Sequence, residues 1–94
     1  MEEVWIFSGS ENSFPSAVFT GRPPAEQWIR KHSLSGTLTR YPVNVSVYDW
    51  VIEQGYFQPK KEYQSSPRFV QSFSSAYLEH YHYNSGEGPD EQAA

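Results

Sequence analysis

The chain has 94 residues with seven basic and eleven acidic side chains, a formal charge of −4 and an isoelectric point near 5.2; this opposes binding to phosphate backbones, whose affinity comes mainly from Lys and Arg. A chain of this length buries roughly 60–65% of its unfolded surface, enough for one core and therefore one domain. Cysteine is absent, which excludes disulfides, thiolate catalysis and Cys-ligated zinc and agrees with a reducing compartment.

Residues 3–8 and 14–20 are short runs of β-branched and aromatic residues separated by Gly9-Ser10-Glu11-Asn12-Ser13, a pattern that predicts a β-hairpin. In the first run Val4 and Ile6 point one way and Trp5 and Phe7 the other, so both faces are apolar. That strand is expected to be sheltered on both sides, or else covered by a partner. Pro15 has no ladder donor and suits the start of an edge strand. Gly21-Arg22-Pro23-Pro24 then breaks the strand, and a first-turn proline predicts a helix from Pro24 to about Ser33. Ala25, Trp28, Ile29 and His32 form its apolar stripe at i, i+3, i+4 and i+7, while Arg30, Lys31 and His32 complement the negative end of the helix dipole.

Ser35 to Tyr41 reads as a third strand that stops before Pro42. Ser46 and Asp49 have capping-box spacing ahead of a second helix, which Gly55 ends, with Tyr56 or Phe57 placed to fold back over its last turn. Gln58 to Gln64 is polar and reads as a loop. Ser66-Pro67 caps a short helix with Phe69, Val70 and Phe73 on one side. Ala76 to Asn84 reads as the last strand, with Tyr77, Glu79, Tyr81 and Tyr83 alternating against Leu78, His80 and His82. The globular domain is thus expected over residues 1–84, with Ser85 to Ala94 a disordered acidic tail. The order β-β-α-β-α-α-β predicts an α+β fold, a mainly antiparallel sheet with helices packed on one face.

Chemistry-bearing residues are few. His80 and His82 share a strand face, roughly 6.5–7 Å apart at the backbone, and would chelate a metal if a third ligand came from elsewhere. The remaining histidine, His32, sits at a packing position, so no cofactor is expected and the imidazoles are read as hydrogen-bonding across the sheet. No Gly-x-Ser-x-Gly elbow occurs. Asp49 and Glu53 are i, i+4 neighbours on the second helix, either a solvated face or a docking patch for a basic partner. Lys60-Lys61 near Tyr56, Phe57 and Tyr63 is a poor electrostatic footprint on an acidic chain, so nucleic-acid binding is not expected. No window reaches the ~20 apolar residues needed to span a bilayer, and Met1-Glu2-Glu3 lacks the start of a signal peptide; a cytoplasmic protein without a membrane role is expected, and the Asn44-Val45-Ser46 sequon is read as chance.

What remains is an excess of rings. Of the hydrophobic residues 16 are Phe, Trp or Tyr, so aromatics are expected to build much of the core. The seven tyrosines suit a protein interface equally well, because Tyr gives large contact area with few rotatable bonds. The partner-binding candidates are Tyr48, Asp49, Glu53 and Tyr56 on and after the second helix, and Glu79, Tyr81 and Tyr83 on the last strand.

With Val4-Trp5-Ile6-Phe7-Ser8-Gly9, Phe14-Pro15-Ser16-Ala17-Val18-Phe19, Leu34-Ser35-Gly36-Thr37-Leu38-Thr39, Tyr41-Pro42, Val47-Tyr48-Asp49-Trp50 and Glu79-His80-Tyr81-His82-Tyr83 in view, the chain resembles, over about residues 3–84, a family of small bacterial proteins of unknown function, of the kind often found beside toxin genes as immunity proteins. That family brings no established catalytic residues. The resemblance implies a non-enzymatic immunity protein or antitoxin that occludes a cationic toxin such as a nuclease. Two other classes compete: a small metal-dependent or acid-base enzyme using His80 and His82, and a self-associating protein, for instance a homodimer, that uses a sheet edge and the tyrosine surface.

Overall fold

The computed structural model describes residues 2–12 and 14–89. Strands β1 (Glu3–Gly9) and β2 (Pro15–Phe19) are followed by helix α1 (Arg22–Lys31), strand β3 (Gly36–Pro42), helix α2 (Val47–Glu53), a single 3-10 turn (Glu62–Ser65), helix α3 (Pro67–Gln71) and strand β4 (His80–Tyr83). The strands form one antiparallel sheet in the order β2-β1-β3-β4. The fold is therefore α+β in the expected order. Pro15 opens a margin strand, where its missing N–H interrupts no ladder.

Opposed residues in an antiparallel ladder point to the same side, so the register decides which side chains share a face. Trp5 lies opposite Phe19 and Arg40, Phe7 opposite Ala17 and Leu38, and Leu38 opposite Tyr81. Helix α1 covers this face with Ala25 and Ile29, both 0% exposed. Rings complete the core: Trp28 meets Phe7 edge-on at 5.5 Å and Phe19 at 5.7 Å. Filling the layer with Leu38 and Ile29 contributes about 1.5–3 kcal/mol for each side chain. The opposite face carries Val4, Ile6, Val18, Thr37, Thr39, Tyr41, His80 and His82. There Val4 and Ile6 are half-buried and Val18 is 63% exposed, so β1 is less sheltered on this side than its pattern suggests.

Helix α1 begins two residues before the expected Pro24, with both prolines in its first turn. The stripe holds at Ala25 and Ile29, but His32 lies just past the helix and is exposed, its ring 6.1 Å from Trp28. Strand β3 includes Pro42, contrary to the expected stop at Tyr41, because Arg40 N–H already points toward β4, donating to Glu79 O over 2.9 Å. Two residues further on, Pro42 faces the same way beyond the end of β4, so no donor is required there.

Helix α2 is capped as its sequence predicts: Ser46 Oγ accepts the Asp49 N–H at 2.9 Å and donates to Asp49 Oδ2 at 2.9 Å. At its other end Gly55 adopts φ 81°, while Gly55 N–H donates to Ile52 O at 3.0 Å and Tyr56 N–H to Val51 O at 2.9 Å. This is a Schellman termination, and the left-handed residue costs little because it is glycine. The segment read as a loop from Gln58 to Gln64 contains the start of the 3-10 turn, with Gln64 Oε1 accepting from the N–H groups of Lys60 and Lys61 at 2.8 and 3.1 Å. The Ser66 cap of α3 forms as expected, accepting Phe69 N–H at 3.2 Å. Its rings then join a second aromatic cluster around Tyr48, whose ring centre lies 6.1 Å from Phe57, 6.3 Å from Phe69 and 5.4 Å from Phe73.

Two expectations at the C-terminal end are corrected. The last strand is four residues long rather than nine, because the chain turns at Ala76 and Tyr77 and drives Leu78 inward to 3% exposure. The expected tail is also shorter. Ser85 N–H donates to Ser35 Oγ at 2.9 Å, Gly86 N–H to Leu34 O at 2.8 Å, and Gly86 and Gly88 are buried. Backbone groups, a serine hydroxyl and glycines make these contacts, which leave no hydrophobic signature in the sequence. The folded unit therefore reaches Pro89; residues 90–94 of the expected tail lie outside the described residues.

Candidate functional site

At the Pro42 end of the sheet, a cleft of about 230 Å³ opens between the strand ends and the chain that follows α2. Leu78 is buried in its lining. On the strand side Arg40 stands between two carboxylates: its Nη1 donates to Glu79 Oε1 at 2.9 Å and its Nε donates to Glu3 Oε2. Glu79 Oε2 accepts the Tyr81 hydroxyl at 2.5 Å. The Tyr81 hydrogen bond and then the Arg40 guanidinium hold the Glu79 carboxyl below the usual carboxylate range, and the same carboxylates, Glu3 first, push Arg40 upward. Both oxygens of Glu79 are engaged, so it is poorly placed to shuttle protons. Its role is to fix the Arg40 wall.

The opposite wall is aromatic. The Schellman turn at Gly55 folds Tyr56 back so that its ring centre lies 5.8 Å from Trp50. Tyr77, carried in by the turn before β4, stacks on Tyr56 at 4.2 Å with planes 10° apart. Tyr56 is 48% and Tyr77 63% exposed. Beside Tyr56 the Trp50 indole Nε1 is buried and, among the described residues, has no hydrogen-bond acceptor. A buried donor left without a partner is costly, about 1–3 kcal/mol, and most such groups in native proteins are satisfied.

The seven candidate partner-binding residues are distributed unevenly. Tyr56 and Glu79 line the cleft together. Tyr81 adjoins it through its hydroxyl, its ring stacked 6.1 Å from Trp5 with the Arg22 guanidinium 3.6 Å above it. Asp49 and Glu53 are exposed on α2. Tyr48 and Tyr83, expected on a partner-facing surface, are instead core residues at 8% and 6% exposure. Tyr48 is drawn in by the Phe57, Phe69 and Phe73 rings and donates to Gln64 O at 2.8 Å. Tyr83 is drawn beneath α1, where its hydroxyl donates to Glu26 Oε2 at 2.7 Å.

Trp50, Tyr77 and Arg40 were not among the sequence candidates. The glycine stop at Gly55 carries the only sequence signal for Trp50, since it fixes where Tyr56 returns. Tyr77 was assigned to a strand that does not reach it.

On the other face of the sheet His80 and His82 lie side by side as their spacing predicts, ring centres 5.3 Å apart. His82 Nδ1 is 3.3 Å from Thr37 Oγ1 across the ladder and His80 Nδ1 is 2.7 Å from Leu78 O. Among the described residues no group of three or more His, Cys, Asp or Glu side chains is placed to hold a metal ion, and no helix is long and apolar enough to cross a membrane.

Comparison with known families decides the affiliation. Residues 4–89 match the family described as a domain of unknown function (DUF7710). The chain belongs to this family. The DUF7710 match runs past Asn84 to Pro89, in step with the hydrogen-bonded turn that follows β4. No curated protein and no solved structure matches the chain. What the DUF7710 cleft can do is therefore read from its chemistry. Its volume falls below the roughly 300–1,000 Å³ of pockets for drug-sized ligands. It offers two exposed stacked rings and a braced cation, a set suited to a side chain or short peptide segment.

Proposed function

We propose that this DUF7710 domain is a non-enzymatic protein-binding module, most concretely a cytoplasmic bacterial immunity protein or antitoxin that neutralises a cationic toxin such as a nuclease by occlusion. One observation carries the reading: Tyr56 and Tyr77 stack face to face in the open, 48% and 63% exposed. Exposed, rigid aromatic pairs supply contact area at low entropy cost and are the usual anchors of tight interfaces. A partner segment laid across the cleft would cover both rings and lie against the Arg40 wall. The net charge of −4 favours a basic partner by raising the association rate. The resemblance noted in the sequence, to small bacterial proteins of unknown function often found beside toxin genes, implies the same role.

The test is capture from the native host after cross-linking, with wild type and Tyr77→Ala compared. Wild type is expected to enrich one basic protein whose toxicity disappears when the two are co-expressed, and the variant to lose it. A chain recovered alone and monomeric under every growth condition, or a neighbouring toxin that stays active in its presence, overturns the reading.

A further inference from the structure

We propose that His80 and His82 form a two-imidazole chelate for a divalent transition-metal ion of the copper, nickel and zinc class, on the sheet face away from α1. The site is independent of the cleft and of the partner proposed for it. It rests on spacing, on which ring nitrogens are left free, and on access.

Two imidazoles bound to one tetrahedral ion through bonds of about 2.1 Å hold their ring centres about 5 Å apart. The ring centres of His80 and His82 are 5.3 Å apart with planes at 84°. Alternation along a single strand thus sets the two rings at a separation that a shared ion requires. Each ring is also held by its Nδ1. The Leu78 carbonyl, 2.7 Å from His80 Nδ1, can only accept, so that nitrogen carries the proton and Nε2 keeps its lone pair. Thr37 Oγ1 lies 3.3 Å from His82 Nδ1; a hydroxyl serves either tautomer, so the one with an unprotonated Nε2 is open to this ring. Anchoring one imidazole nitrogen to a carbonyl or hydroxyl while the other faces an ion is the usual outer-shell arrangement around metal-bound histidines.

Access is open. His82 is exposed and His80 half-buried, and β4 is a margin strand. His80 also borders a groove of about 380 Å³ whose lining includes Thr39, Tyr41 and Ser75. Water or an incoming ligand can fill the coordination positions that the imidazoles leave. Imidazole donors favour copper, nickel and zinc over magnesium and calcium, which take oxygen ligands.

The experiment is calorimetric titration of the full chain, without a histidine tag, with CuCl2, NiCl2, ZnCl2, MgCl2 and CaCl2, alongside NMR of the histidine rings. One ion per chain is expected, copper tightest and magnesium and calcium silent, with the His80 and His82 resonances moving and the His32 resonance still. Acidification releases the ion, since protons compete for the same lone pairs. His82→Ala, at an exposed position, is expected to weaken zinc binding at least about tenfold, and Thr37→Val to weaken it less because both ligands remain. Absence of zinc and copper binding overturns the proposal, as does undiminished binding by His82→Ala or by His80→Asn.

Discussion

The Tyr83 hydroxyl donates to Glu26 Oε2 over 2.7 Å, joining strand β4 to helix α1 across 57 residues of sequence. Glu26 Oε2 also accepts from Arg22 Nε at 3.2 Å, and the Arg22 guanidinium lies over the Tyr81 ring. The margin strand is therefore fastened to the helix by polar contacts as well as by the core beneath it.

Tyr83→Phe keeps the ring and removes this bond. Hydrogen bonds to charged groups contribute about 1.5–3 kcal/mol, and the lower figure is expected because Arg22 still serves Glu26; the melting temperature should fall by several degrees. Burial, and then the bond to Glu26, raise the Tyr83 phenol above its ordinary value. The folded state thus holds this proton more tightly than the unfolded state. Its contribution is complete below about pH 10 and declines as pH rises above the unfolded tyrosine value. Denaturation curves from pH 8 to 11 should show wild type losing its advantage over Tyr83→Phe at the alkaline end; a constant difference would contradict the linkage.

Arg40→Met leaves Glu3 and Glu79 facing each other across the cleft wall without the cation. These groups are substantially exposed, with Arg40 and Glu79 side chains at 41% each, so the loss is expected to be about 1 kcal/mol or less and to shrink in 1 M salt. The Glu79 carboxyl is held low by Tyr81 and Arg40. Its stabilising contribution is therefore present above the unfolded carboxylate value and lost as pH falls through the lower folded value. Urea midpoints from pH 7 to 3 should fall less steeply for Glu79→Gln than for wild type.

A chain ending at Asn84 is expected to be less stable than one ending at Pro89 by about 1–3 kcal/mol, because it leaves Ser35 Oγ and Leu34 O without the donors supplied by Ser85 and Gly86. Urea denaturation of the two truncated chains checks this. Equal midpoints would show that the turn after Asn84 contributes nothing.

Trp50→Phe separates binding from stability at the cleft. The wild-type indole N–H has no acceptor among the described residues, so removing it is expected to change unfolding free energy by under about 1 kcal/mol, through lost ring area alone. If the partner packs on the aromatic wall, the same substitution weakens the complex by about tenfold, because Tyr56 loses the Trp50 ring that backs it. Thermal melts and a titration with the captured partner give both numbers.

Elements with local punctuation were legible in the sequence. The Ser46 and Ser66 caps, the Gly55 stop and the Pro15 strand start depend on residues within one turn of each other, and all four stand in the structure where their spacing places them. The His80 and His82 pairing follows in the same way from the two-residue period of a strand. The site was half legible. Tyr56 and Glu79 stand among the sequence candidates, but alternation alone does not show that the chain joins the ladder only at His80, and so it misplaces Tyr77. Tyr48 and Tyr83 were read as outward because tyrosine suits an interface and a core equally; only the rings and carboxylate that surround each one distinguish the two.

The amino-acid sequence by itself determined the α+β class, the order of elements, an aromatic core and an acidic exterior, because those properties follow from composition and from interactions a few residues apart. The tertiary structure alone decided that β1 and β3 lie inside the sheet, that Glu26 meets Tyr83, and that Arg40, Trp50, Tyr56 and Tyr77 face one cleft. Such encounters depend on how the whole chain balances burial against loop closure, and no local pattern records that balance.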